Sequence, residues 1–144
     1  MKRFRYEEGS TLVEFALCSG VLFMSLFGVF GVCGALYSYN FVSEAAREAT
    51  RYALVRGSAC TGFADCNMTS AQINSLVQHL GYPGLNSSNM TATATWSGSN
   101  VPVNAPGNTV SVTVTYNFPL TIPFWPRSGS IIHMSSTSSM VISQ

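Results

Sequence analysis

Gly9–Phe15 reads GSTLVEF, and the chain then carries no charge until Glu44, where Ser43–Ala53 reads SEAAREATRYA. The apolar part, Phe15 to Tyr37, is about 23 residues, or about 35 Å of helix at 1.5 Å per residue. A hydrocarbon core is about 30 Å thick. The stretch therefore predicts a membrane-spanning helix with a single carboxylate, Glu14, at its start. Beyond Asn40 the helix should continue into water. Ala45, Ala49 and Ala53 form a stripe at i, i+4, i+8, and Glu44–Arg47 and Glu48–Arg51 are i, i+3 pairs of opposite sign. The whole is one helix of about 45 residues, on the order of 65–70 Å.

Charge sets its orientation. Lys2, Arg3 and Arg5 precede the apolar run, whereas Glu44 and Glu48 offset Arg47 and Arg51 beyond it. The positive-inside rule puts the N-terminus in the cytoplasm and everything after about Tyr39 outside. Only 9 % of the 144 residues are charged and the net charge is +1, which gives nucleic acid nothing to bind. An ordinary secretory signal has a shorter apolar core and a small-residue cleavage site. Here the core is too long, and Cys33-Gly34-Ala35 is a weak site. Leu17 and Val32, before Cys18 and Cys33, do not suit a lipoprotein box. Both thiols read as small buried hydrophobes.

Gly9, Glu14 and Phe15 lie where a type IV prepilin has its cut, its fifth mature residue and a following aromatic. The continuation, down to Ala46–Gly57 (AREATRYALVRG), resembles the TadE-like family of pilin-like proteins from tight-adherence (Tad, Flp) pilus systems. The resemblance covers Gly9 to Gly57. It implies cleavage between Gly9 and Ser10, and an assembly role for Glu14 and Phe15. It implies as partners the prepilin peptidase, the Tad secretion platform and other pilin-like subunits, in a bacterial inner membrane. Physically, a cut after Gly9 creates an amine on Ser10 about one helical turn from Glu14, which a neighbouring subunit's Glu14 can neutralise. The plainer reading is a carboxylate in the headgroup region capping the helix N-terminus. Gly28, Gly31, Gly34 and Ala35 thread the span with small residues. Gly31–Ala35 and Gly34–Ser38 have the spacing that lets helices approach closely. Glycine is also common in membrane helices generally.

The fold expected is α+β. Residues 1–9 form a short basic leader, 10–57 the pilin-like helix and 58–144 an exported domain with one helix and an antiparallel sheet of about three strands. Gly57 ends the long helix, and Cys60 and Cys66 should close a small disulfide loop in an oxidising compartment. Thr69–Gln72 (TSAQ) is a capping box. Ile73, Leu76, Val77 and Leu80 then give an amphipathic helix of about 11 residues, stopped by Gly81 and Pro83. Met90–Trp96 and Thr109–Phe118 alternate as strands, the second with Val110, Val112, Val114, Tyr116 and Phe118 inward. Pro119, Pro123 and Pro126 break the next segment into a loop. Phe118, Leu120, Ile122, Phe124 and Trp125 make that loop apolar, either as a contact surface or folded over the core. Ile131–Ile142 is the last strand, its register weakly specified by the polar centre Ser135–Ser139.

No catalytic constellation is visible. The exported part has three acidic residues, Glu44, Glu48 and Asp65, and two His, His79 and His133, with no nucleophile motif, phosphate loop or metal cluster. No cofactor, metal or small-molecule substrate is expected. The sequons at Asn67, Asn86 and Asn89 are of the kind chance supplies in an Asn-, Ser- and Thr-rich chain. The function expected is structural: a TadE-like minor pilin or pseudopilin. The alternative is a permanently anchored, adhesin-type surface module that never enters a filament.

Overall fold

A computed structural model describes residues 7–62, 64–120 and 129–143. Helix α1 runs unbroken over Glu7–Leu54, 48 residues. Helix α2 covers Ser70–His79, and a 3-10 turn at Ser87–Asn89 leads into strand β1, Met90–Ser97. Strands β2, Thr109–Leu120, and β3, Ser130–Val141, complete an antiparallel meander in the order β1-β2-β3. The α+β architecture is the one expected, with three strands. Helix α1 ends three residues before Gly57. There the Arg56 amide turns back to the Ala53 carbonyl.

The outer part of α1 lies across one face of the sheet. Val42, Ala45, Ala46, Ala49, Thr50 and Ala53 form a buried stripe, and Val110, Val112 and Val114 of β2 meet it with no exposed surface. Alanines at the contact bring the helix backbone close to the strands, leaving room for valine side chains but little more. Thr50 Oγ1 donates to the Ala46 carbonyl at 2.7 Å and shares that proton with the Ser138 carbonyl of β3 at 3.2 Å, which marks the level at which helix and sheet meet.

Helix α2 is held by the expected capping box: Thr69 Oγ1 accepts from the Gln72 amide, and Gln72 accepts from the Thr69 amide. Its buried residues are Ile73 and Val77, each worth about 1.5–3 kcal/mol of apolar burial. A second stripe matters as much. Ser70, Asn74 and Gln78 recur at i, i+4, i+8 along the outer edge of β1. Asn74 Oδ1 accepts from the Ala92 amide at 2.8 Å, Ser70 Oγ from the Ala94 amide at 3.0 Å, and Gln78 Nε2 donates to the Met90 carbonyl at 3.2 Å. An edge strand left bare is a template for pairing, and here side chains fill that role along β1.

Two expectations change. Pro119 does not end β2, which continues to Leu120 with Pro119 opposite Ile131. β1 begins opposite Tyr116, so no described strand lies on that side of β2 beyond it. The Gly129 amide donates to the Leu120 carbonyl, so Leu120 turns its polar groups toward β3 and Pro119, one residue back, turns away from it. The missing N–H therefore falls where no ladder bond is lost. Second, the polar centre of β3 has a defined register. Ser139 pairs with Ser111 and Thr137 with Thr113, each through a 2.8 Å hydroxyl contact. Of the apolar loop, residues 121–128 lie outside the described residues, including Ile122, Pro123, Phe124, Trp125 and Pro126; so do residues 1–6 of the basic leader.

Candidate functional site

Helix α1 changes character along its length. From Leu12 to Tyr39 its large apolar side chains are exposed, Phe15 at 75 % and Phe30 at 69 % among them. From Val42 onward one face is buried under the sheet. It is the one helix among the described residues long and apolar enough to cross a membrane. Gly9 and Ser10 are exposed in the first turn of the helix, which starts at Glu7. Glu14 and Phe15 are exposed one turn on.

The small residues do not share one environment. A Cβ on Gly20 or Gly28 would meet nothing within 4 Å. Gly34 instead faces the chain's own β2: a Cβ there would touch the Phe118 ring at 3.6 Å. Ser38 is buried on the same side and donates to the Gly34 carbonyl. Gly31 and Ala35 are half-buried. Cys18 and Cys33 are exposed, not buried, because the inner part of α1 has no protein around it to bury them.

Past the helix, Cys60 and Cys66 are joined by a disulfide. Nearby, the Ser58 amide donates to Asn104 and the Met68 amide to Arg56, tying the loop to its neighbours. Glu44 and Arg47 approach to 3.9 Å, and Glu48–Arg51 does not close, so among the described residues one of the two expected pairs forms. An exposed pair of this kind contributes little. His79 contacts the Ser75 carbonyl and His133 contacts Asn117, both exposed and without an acidic partner. At the sequons, Asn67 accepts from Asn104 and Asn86 accepts from the Ser88 amide, so both carboxamides are engaged; Asn89 is half-buried. No group of three or more His, Cys, Asp or Glu comes together among the described residues.

Residues 9–51 match the TadE-like protein family. The resemblance read from Gly9 onward thus holds over the segment that forms α1. No curated protein and no solved structure matches the chain. The TadE-like match supports a pilin- or pseudopilin-type role associated with pilus machinery. The match ends at Arg51, before the sheet, so the rest of the chain is read on its own geometry.

Sequence reading missed where the aromatic residues around Tyr82 converge. The Tyr37 and Phe41 rings are 4.5 Å apart edge to face, Phe41 and Tyr82 are 4.9 Å apart, and Tyr37 Oη donates to the Pro83 carbonyl. The three come from two distant segments, and nothing in local periodicity links them. The Tyr82 phenol is raised above its usual value of 10.0, first by burial and then by the carboxylates of Glu44 and Glu48. The folded state thus holds this proton more tightly than the unfolded chain. Its contribution is complete below pH 10.0 and is lost as pH climbs through the raised folded value. Tyr82→Phe should flatten the alkaline fall in unfolding midpoint. An unchanged slope above pH 10 would show that Tyr82 does not titrate in this window.

Proposed function

We propose that this chain is a TadE-like minor pilin or pseudopilin of a Tad/Flp-type pilus system. It would be held in the bacterial inner membrane by α1, with its N-terminus cytoplasmic and its α+β domain outside, until the assembly machinery takes it up. One observation supports this above the others. The family match coincides with a single continuous helix, bare and apolar in its inner half and packed under a sheet in its outer half. In this reading residues 1–9 are the leader, 10–57 the anchor and packing helix, and 58–144 the exported domain, which primes, caps or decorates the filament. The prepilin peptidase cuts between Gly9 and Ser10. The exposed Glu14 then meets the new amine of a neighbouring subunit, and Phe15 packs beside it. Gly28, against which nothing in the chain lies within 4 Å, is open to a neighbouring helix. Gly34 lies under Phe118, so close approach there runs through the chain's own sheet.

The intact mass and N-terminal sequence of protein from its own membranes test this. A chain beginning at Ser10 supports processing and the pilin-like route. A chain beginning at Met1 removes it and leaves a permanent anchor of the adhesin type. A start near Ala35 would make the helix a signal sequence and end the proposal. Glu14→Ala should leave the domain folded and the cut intact, yet lower recovery of the protein with sheared filaments; unchanged recovery would remove the role given to Glu14.

A further inference from the structure

We propose that the lower ends of β2 and β3, Phe118–Leu120 and Ser130–Ile132, form a second membrane contact. They lie in the outer headgroup and acyl boundary of the bilayer that α1 crosses. This rests on the reading of α1 as a membrane span.

The levels follow from three contacts. Ser143 donates to the Leu54 carbonyl at the top of α1, Thr50 reaches Ser138 opposite Val112, and the Phe118 ring lies 3.6 Å from where a Cβ on Gly34 would sit. Strand β2 therefore descends along the helix. Sixteen helical residues from Thr50 to Gly34 span about 24 Å, and six strand residues from Val112 to Phe118 about 20 Å. The two estimates agree, so strand and helix run side by side.

Gly34 is inside the apolar run, about 4.5 Å below Tyr37. Tyr37 and Tyr39 are both about half exposed, and tyrosine at the end of an apolar helix marks the interface. Leu120 lies about 7 Å beyond Phe118 in the same direction. The sheet thus reaches below the tyrosine level, beside the exposed Leu36, Val32 and Phe30 of the helix.

The side chains there suit lipid. Ile131 is 57 % exposed and Ile132 37 %, at the lower end of β3; the other exposed residues of the strand are Ser, Thr and His, apart from Val141 at its opposite end. From Cys66 to Gln144 the sequence carries one charged side chain, Arg127, between the two strand ends and next to Phe124, Trp125 and Pro126. Aromatic residues beside a single cation are, by composition, what an interfacial segment carries. The occupant is lipid rather than a soluble partner because Ile132 pairs with Phe118 on the sheet face turned toward α1, at the level of the helix's exposed apolar side chains, and Ile131 extends the apolar surface on the other face of the same strand end.

The test places a lone tryptophan in the full chain, with Trp96→Phe and Trp125→Phe as background. The protein is reconstituted in vesicles of phosphatidylethanolamine and phosphatidylglycerol that carry brominated chains. Ile131→Trp should be quenched most by bromines near the glycerol end, at a depth of roughly 5–10 Å. Phe23→Trp should be quenched most by bromines deep in the chain. Ser139→Trp, eight residues up the same strand, should not be quenched. Ile132→Trp gives an independent reading if Ile131→Trp does not fold. Quenching at Phe23 without quenching at Ile131 or Ile132 overturns this proposal and leaves the span intact, whether or not another subunit covers the patch. Absence of quenching at Phe23 overturns the span, and this proposal with it.

Discussion

Replacing Asn108 by Ala should destabilise the folded domain by about 2–4 kcal/mol, because several groups lose their partner at once. Asn108 is 2 % exposed. Its Oδ1 accepts from the Asn100 amide, and its Nδ2 donates to the carbonyls of Asn100, Pro102 and Val103. One carboxamide thereby organises the connection between β1 and β2. Its own backbone closes the base of that connection, accepting from Ile142 and donating to Ala105. Asn108→Asp should be no gentler, since an oxygen would then face three carbonyls. Gly98→Ala should perturb the same site from outside, because a Cβ at Gly98 would run into the Asn108 carboxamide. Asn117→Ala is the control: its exposed side chain contacts His133, and the change should stay within about 0.5 kcal/mol. Urea unfolding of the full chain in mild detergent, followed by tryptophan emission, reads all four. An Asn108→Ala midpoint equal to that of Asn117→Ala would show that the connection holds without the carboxamide.

Ala49→Leu should cost about 3 kcal/mol by overpacking and should loosen the contact between α1 and the sheet. Ala49 has no exposed surface, and the facing valines of β2 have none either. Leucine would add three heavy atoms where no neighbour can yield without moving a strand. Arg51→Leu, on the opposite and exposed face, should change stability by less than about 0.5 kcal/mol. Hydrogen exchange adds a second reading: in Ala49→Leu, amides of β2 should lose protection while amides from Leu22 to Phe30 keep theirs. A well-protected β2 would mean that the helix and sheet shift apart at no great cost.

Much of this fold was legible because its signals are local. A charge-free run, a capping box and two alternating strands each declare themselves within one contiguous stretch, and α1, α2, β1 and β2 lie where those signals are. The register of β3 was not legible from apolar pattern, because hydroxyl pairs set it and Ser and Thr look alike on either face. Pro119 misled for a related reason. A proline forbids a ladder bond only where a strand lies on its N–H side, and that depends on where β1 begins. Asn108 and the Gly34–Phe118 contact are tertiary facts. One Asn among many in a Pro- and Gly-rich turn gives no sign that it is buried, and 84 residues separate Gly34 from the ring that covers it. The Ser70, Asn74 and Gln78 stripe was within reach. Its spacing is as regular as that of Ile73 and Val77, but a polar stripe on a helix reads by default as its solvent face.

That polar stripe also limits how such domains can join. No described strand pairs with the outer side of β3, whereas the amides of Ala92 and Ala94 on β1 are already occupied. A sheet that is closed on one side and open on the other can accept only one neighbour by strand pairing. Two such sheets meeting at β3 would consume both free sides and stop as a pair. Cysteines placed at Thr137 should therefore trap dimers at most. Among the described strands, any longer array would need contacts other than strand pairing, and the sheet acts as a chain terminator along its own hydrogen-bonding direction.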